Sequence, residues 1–191
     1  MGVVLPEEAR NGLIGAWRFF SWNVNMFTNI SNCTIFELYF ILYITATYLY
    51  SKYFRCGENR HGAYNIFAED IRGLYISYDS DMADYVHGLI LSRNKAAHTQ
   101  YTQYVDSMVK HTVCSEYFIK LLRYEGIIDK DGLFINYECG EYYSVSGREE
   151  ALENIKTMVA KVNAEDAETA KQDTSCVPSG IAAAIIKMQG E

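Results

Sequence analysis

The segment from Lys95 to Tyr124 contains neither glycine nor proline, and it constrains the fold more than any other part of the chain. Its aromatic and apolar residues, with one threonine, recur at spacings of three and four, which is the period of one face of an α-helix. They are Tyr101, Tyr104, Val105, Met108, Val109, Thr112, Phe118, Leu121 and Leu122. The segment therefore predicts one long amphipathic helix from Lys95 to about Tyr124.

Shorter patterns predict further helices on both sides of this segment. They cover residues 7–20, 35–54, 64–72 and 79–91, and a last helix begins in the capping box 146–149. The helix from Ile35 is apolar on every side, but it holds Glu37 and is shorter than the roughly 20 apolar residues of a membrane span. We therefore expect a central core helix there and no membrane association.

The pattern changes after Glu125. Ile127 and Ile128, a polar turn over 129–132 and an apolar run over 133–135 predict a small β-hairpin, with a further strand over 142–145. The fold class is thus mainly α, a helical bundle with a small β-hairpin and a C-terminal helix. The predicted organisation is a helical domain over 1–125, a hairpin and helix over 126–163, and an acidic linker with a small apolar tail over 164–191.

Composition excludes several classes of protein. Lys and Arg total 17 against 24 Asp and Glu, so the formal net charge is -7 and a basic coat for nonspecific duplex binding is absent. The 5 cysteines are odd in number and form no C-x-x-C pair. This spacing encodes neither a disulfide framework nor a structural zinc site. We expect a cytoplasmic protein without a metal or another cofactor.

One short string combines residues that could carry chemistry, Arg93-Asn94-Lys95 followed by His98. If Asn94 caps the predicted long helix, Arg93 lies outside its first turn and can fold back toward His98. His98 would then lie near the N-terminus of that helix, whose partial positive charge disfavours imidazolium. A general base near neutral pH must be uncharged, so this position suits His98. Arg93 and Lys95 would then supply positive charge for a phosphate.

This string resembles the hallmark of the HEPN superfamily, an R-x4-6-H motif in an all-helical domain, often with a polar residue after the arginine. The resemblance covers roughly residues 35–125. It implies a homodimer in which two such motifs form one composite site, and a metal-independent endoribonuclease of a defence or toxin–antitoxin system. An antitoxin or an effector complex is the partner that it implies. The toxin branch carries a tyrosine two residues after the histidine, whereas this chain has Tyr101 one position later.

The resemblance also implies a mechanism for RNA cleavage. His98 would remove the proton of a ribose 2′-OH, and Arg93 would bind the phosphate and stabilise its developing charge. The products would be a 2′,3′-cyclic phosphate and a free 5′-OH. Asn94, Lys95 and Tyr101 would contact the RNA substrate.

The sequence leaves two other classes of function open. One is a noncatalytic helical interaction or scaffold protein, in which Arg93 and His98 only form a polar helix junction. The other is a winged-helix DNA-binding protein, with residues 112–124 as the recognition helix and the hairpin as the wing. Acidic residues in both elements argue against phosphate contact in that third reading: Glu116, Glu125, Asp129, Asp131, Glu138 and Glu141.

Overall fold

All the regular secondary structure in the described part of the chain is helical. A computed structural model describes residues 30–53, 56, 64–99, 102–132 and 145–175. After a 3-10 turn, Ile30–Asn32, these residues form helices α1 (Ile35–Tyr53), α2 (Tyr64–Tyr75), α3 (Ser80–His98), α4 (Gln103–Val113), α5 (Glu116–Tyr124) and α6 (Arg148–Ser175). The prediction of a mainly helical bundle is confirmed.

Helix α1 lies at the centre of the bundle and packs on α3 and α4. It buries residues on most of its circumference, including Leu38, Ile41, Leu42 and Leu49, as its unbroken apolar sequence predicts. Helix α2 packs along α3, and α6 packs on α2 and α5. Within the described ranges, no helix has both the length and the apolar content that crossing a bilayer requires.

The prediction of one helix from Lys95 to Tyr124 is wrong, because this segment forms the end of α3, then α4, then α5. Thr99 and Thr102 adopt extended backbone, and the Thr102 hydroxyl accepts from the Val105 amide as the N-cap of α4. Ser115 caps α5 in the same way, by accepting from the Tyr117 amide. The spacing of three and four residues between apolar side chains persists across these breaks, because each short helix buries its own apolar stripe against the core.

The helix predicted over 79–91 starts as expected and ends later. Asp79 is its N-cap and accepts from the Met82 amide, but the helix continues through Asn94 to His98. The prediction that Asn94 is an N-cap is therefore wrong. Nothing breaks the helix at Leu91, since the next residues, 92–98, include neither glycine nor proline.

The C-terminal part differs from the sequence prediction at one end of α6. The segment predicted as a linker from Ala164 is helical as far as Ser175, because Glu165 and Asp166 pair with Arg123 of α5 at 3.0 and 2.7 Å.

The start of the predicted hairpin is described only as far as its turn. Ile127 and Ile128 are buried, and the turn over 129–132 closes by a hydrogen bond from the Gly132 amide to the Asp129 carbonyl. No strand occurs in the described ranges; most of the predicted hairpin, 133–144, lies outside them, as do helix 7–20 and tail residues 176–191.

Candidate functional site, a groove between helices α3 and α4

The predicted site residues occupy one continuous helix. Arg93, Asn94, Lys95 and His98 all belong to the last turns of α3, and His98 is its final residue. Residues five apart in an α-helix point about 140° away from each other, so Arg93 and His98 lie on different faces. His98 therefore sits at the negative end of a helix dipole, opposite to the position predicted from the sequence. Tyr101 lies outside the described residues.

Arg93 packs between aromatic rings. Its guanidinium carbon lies 3.8 Å from the ring centroid of Tyr64 and 5.1 Å from that of Tyr43. Its Nε is buried without a hydrogen-bond partner among the described residues. Stacked cation–π contacts of this kind stabilise a junction between elements, here α1, α2 and α3.

Asn94 holds the same junction from the neighbouring position. Its amide nitrogen donates to the amide oxygen of Asn65 at 2.7 Å, which links α3 to α2. His98 differs from Arg93 and Asn94, since its side chain is exposed. The structure thus directs Arg93 and Asn94 toward α2 and leaves His98 open to solvent.

Lys95 meets an exposed tyrosine of the next helix. Its Nζ lies 4.4 Å from the centroid of the Tyr104 ring and donates to the Tyr104 hydroxyl at 3.2 Å. Tyr104 is 64% exposed, which is unusual for a large aromatic side chain. The pair presents a cation and an aromatic ring together on the surface.

Lys95 and Tyr104 close one end of a groove between α3 and α4. The two helices are antiparallel, because Lys95 contacts Tyr104 whereas Tyr85, ten residues earlier on α3, binds the carbonyl of Thr112 on α4. The helical period places Lys95, Ser92 and Gly88 along one side of the groove. It places a second row along the other side, Tyr104, Met108 and His111, and Ser115, the N-cap of α5, follows them.

The part of the groove away from Lys95 and Tyr104 forms a cavity of about 290 Å³ that extends to Asp84 and Ser115. Its lining includes Gly88, Leu89, Ser92, Met108, His111 and Thr112. Apolar side chains form much of this lining, and hydroxyls and an imidazole add hydrogen-bonding groups. Small-molecule sites have the same character, with volumes that begin at about 300 Å³.

Hydrogen bonds and ring stacking fix the walls of this cavity. The Tyr85 hydroxyl donates to the Thr112 carbonyl at 2.8 Å, and its ring stacks on Tyr117 with centroids 5.6 Å apart. The hydroxyl oxygens of Thr112 and Ser92 lie 3.2 Å apart across the groove. Burial raises the pKa of Tyr85 far above its ordinary value, so this hydroxyl stays neutral and keeps its hydrogen bond. The cavity is therefore a preformed feature of the helix pair.

The sequence interpretation missed Gly88 and the part that His111 plays in the groove. The spacing of Tyr104, Met108 and His111 carried a signal, because these residues share one face of α4. In the part of the chain that the structure describes, no group of three or more His, Cys, Asp or Glu side chains is placed to hold a metal ion. No protein-family model, curated protein or solved structure matches the chain.

Proposed function

We propose that this protein binds single-stranded RNA along the groove between α3 and α4, and the exposed Lys95–Tyr104 pair is the observation that carries the proposal. Proteins that bind single strands combine aromatic side chains, on which bases stack, with cations that follow the phosphates. Tyr104 offers a ring face at the surface, and Lys95 holds a positive charge 4.4 Å from that ring. One nucleotide can therefore meet both groups at once.

The Lys95–Tyr104 end of the groove carries positive charge although the whole chain is acidic, whereas the Asp84 carboxylate lies at the other end. Lys95 and His98 are exposed in the last turn of α3, and Lys110 and His111 are exposed in the last turn of α4, at the other end of the antiparallel pair. The nearby carboxylate of Asp106 accepts a hydrogen bond from the Tyr39 hydroxyl at 3.0 Å. With two lysines at the surface, we expect the logarithm of RNA affinity to fall with the logarithm of salt concentration with a slope of about -1 to -2.

Cleavage of RNA is the extension of this proposal that the HEPN resemblance implies. His98 is exposed and is the candidate base, but Arg93 lies on another face of α3 and is stacked on Tyr64. One protomer therefore does not offer both side chains to one phosphate. A homodimer in which the second copy supplies the missing cation is the arrangement in which cleavage to a 2′,3′-cyclic phosphate would occur.

Fluorescence anisotropy with a labelled single-stranded RNA 12-mer tests the binding proposal. Tyr104→Ala removes the stacking surface and Lys95→Ala removes the cation, so each variant should bind about 5- to 50-fold more weakly. Lys156→Ala is the matched control, since Lys156 is exposed on α6 away from the groove. Absence of binding by the wild type, or equal binding by all variants, would exclude this function.

Incubation of the protein with mixed RNA in EDTA tests the cleavage extension. The expected result is a set of products with cyclic-phosphate ends, which mass spectrometry identifies, and their loss in His98→Ala. Binding without cleavage would leave an RNA-binding protein and exclude the enzyme. Cleavage that persists in His98→Ala would exclude His98 as the base.

A noncatalytic interaction protein is the second candidate, and the position of Arg93 is the observation that favours it. A guanidinium stacked on Tyr64, with a buried Nε, already has a structural role that needs no substrate. In that case Arg93 variants change the free energy of unfolding and leave RNA affinity unaltered. Parallel measurement of both quantities separates the two candidates.

A further inference from the structure

Gly88 lies in the interior of α3, and no close contact with a neighbouring element requires a glycine there. Glycine is the least favourable residue in a helix interior after proline. A Cβ atom built at Gly88 meets nothing within 4 Å, and its backbone does not have the positive φ that glycine alone adopts readily. By contrast, Gly126 has φ 68°, which accounts for a glycine there. The space in front of Gly88 is the cavity between α3 and α4.

The chemistry of the cavity fits a flat ring with polar edges. Met108 supplies apolar surface, and the hydroxyls of Ser92 and Thr112 can each donate or accept a hydrogen bond. A side chain on residue 88 would enter the space where such a ring could lie against the α3 backbone. The absence of that side chain is what keeps the volume open.

Two ionisable groups lie at the edge of the cavity. His111 is exposed on α4, and the Asp84 carboxylate is held by Arg72, whose Nε donates to it at 2.8 Å. A carboxylate accepts hydrogen bonds from amino groups, as Asp and Glu do from the amino group of cytosine. The edge therefore favours a ring that carries an exocyclic amino group.

We propose that this cavity binds a nucleobase with an exocyclic amino group, from the same RNA strand whose neighbouring base stacks on Tyr104. The inference rests on the proposed function and adds a specificity to it. Tyr104 and His111 lie seven residues apart on one face of α4, roughly 10 Å along its axis. The strand thus runs along the groove from the Lys95–Tyr104 end toward Asp84. Adenine and cytosine fit better than uracil, which has a carbonyl oxygen where they carry the amino group.

Substitution of Gly88 by leucine tests this directly, because the new side chain enters the cavity and raises helix propensity. Labelled oligoadenylate and oligouridylate 12-mers are the probes, measured by anisotropy. We expect the wild type to prefer oligoadenylate by at least about 5-fold, and Gly88→Leu to lose about 10-fold in affinity for it. Asp84→Asn should reduce the preference between the two RNAs, since it weakens the acceptor at the edge.

Gly147→Leu is the matched control, since a Cβ at Gly147 also meets nothing within 4 Å and this residue directly precedes α6, away from the groove. Thermal unfolding by circular dichroism verifies that both leucine variants keep their helices. If Gly88→Leu binds oligoadenylate as well as the wild type while Lys95→Ala binds weakly, the base pocket is excluded and the RNA-binding function stands. If the wild type binds neither RNA, both the RNA-binding function and the base pocket are excluded.

Discussion

Lys52 of α1 donates a 2.6 Å hydrogen bond to the carboxylate of Glu125, and the two side chains are 8% and 1% exposed. The hydroxyls of Tyr53 and Tyr75 donate to the same carboxylate. Burial, together with the negative charge of Glu125, raises the pKa of both tyrosines well above 10.0. Both hydroxyls therefore remain protonated donors, and the cluster joins α1 and α2 to the end of α5.

Removal of one charge from this cluster should destabilise the protein strongly. Glu125→Gln leaves the Lys52 ammonium buried without a counter-charge, which costs about 3–5 kcal/mol in the free energy of unfolding. Lys52→Met leaves a buried carboxylate and should cost a similar amount. Urea denaturation followed by circular dichroism measures both effects.

The double variant Lys52→Met with Glu125→Gln separates charge burial from loss of packing. Its neutral amide oxygen still accepts from the tyrosine hydroxyls, and no charge stays buried. It should therefore be more stable than either single variant. A double variant whose loss equals the sum of the two single losses would contradict this account.

Asp79 gives the stability a dependence on acidic pH. Burial disfavours its charged form, but hydrogen bonds from Lys120, the Met82 amide and Tyr124 outweigh burial, and the pKa of Asp79 falls below its ordinary 3.8. A carboxyl group with a lowered pKa stabilises the fold above its unfolded pKa and loses that effect as the pH falls through the folded value. This contribution should be complete above about pH 5 and decline below 3.8.

Asp79→Asn keeps an N-cap side chain but removes the charge and replaces one of the two acceptor oxygens by an amino group. The expected loss is about 1 kcal/mol at pH 7, and it should shrink toward zero as the pH falls below 3.8. Asp79→Ala also removes the cap and should cost about 2 kcal/mol at pH 7. Urea denaturation at several pH values checks both, and a constant difference between wild type and Asp79→Asn over pH 3–7 would refute the assignment.

Gly126 and Gly88 should respond in opposite directions to alanine. Gly126 has φ 68° and ends α5 in a Schellman motif, in which its amide donates to the Arg123 carbonyl and the Ile127 amide to the Leu122 carbonyl. Gly126→Ala should therefore cost about 1 kcal/mol. Gly88→Ala should gain about 0.5–1 kcal/mol, because residue 88 is helical and a Cβ meets nothing within 4 Å. Thermal melts of the two variants provide the comparison, and a shift of the same sign in both would argue against it.

Arg93 should matter for stability, because it is stacked on Tyr64 and lies near Tyr43. Arg93→Ala should lower the free energy of unfolding by about 1–2 kcal/mol. Arg93→Lys keeps the charge but loses the planar stacking group, so it should recover only part of the loss. Lys156→Ala, on the exposed face of α6, is the control and should change stability by less than about 0.5 kcal/mol. Full recovery in Arg93→Lys would show that charge alone matters there.

Part of the fold and of the site could be predicted from the sequence because the signals are local. The apolar run from Ile35 predicts α1, Asp79 predicts the start of α3, and the three–four spacing predicts that residues 95–124 are largely helical. Cap preferences and helical periodicity act over one or two turns, so neighbouring residues suffice to show them. The HEPN resemblance and the RNA-binding hypothesis drawn from residues 93–98 stay predictions.

Local patterns suffice to predict a helical bundle and the starts of α1, α2, α3 and α6. Contacts between helices show that α3 continues through Asn94, that Arg93 stacks on Tyr64, and that Lys95 meets Tyr104. α3 ends at His98 and α4 begins at Gln103, because the apolar stripe of α4 turns to cover α1. Local helix propensities do not encode this change of direction. The groove exists because α3 and α4 pack antiparallel and leave an open space in front of Gly88, and that is a property of the pair.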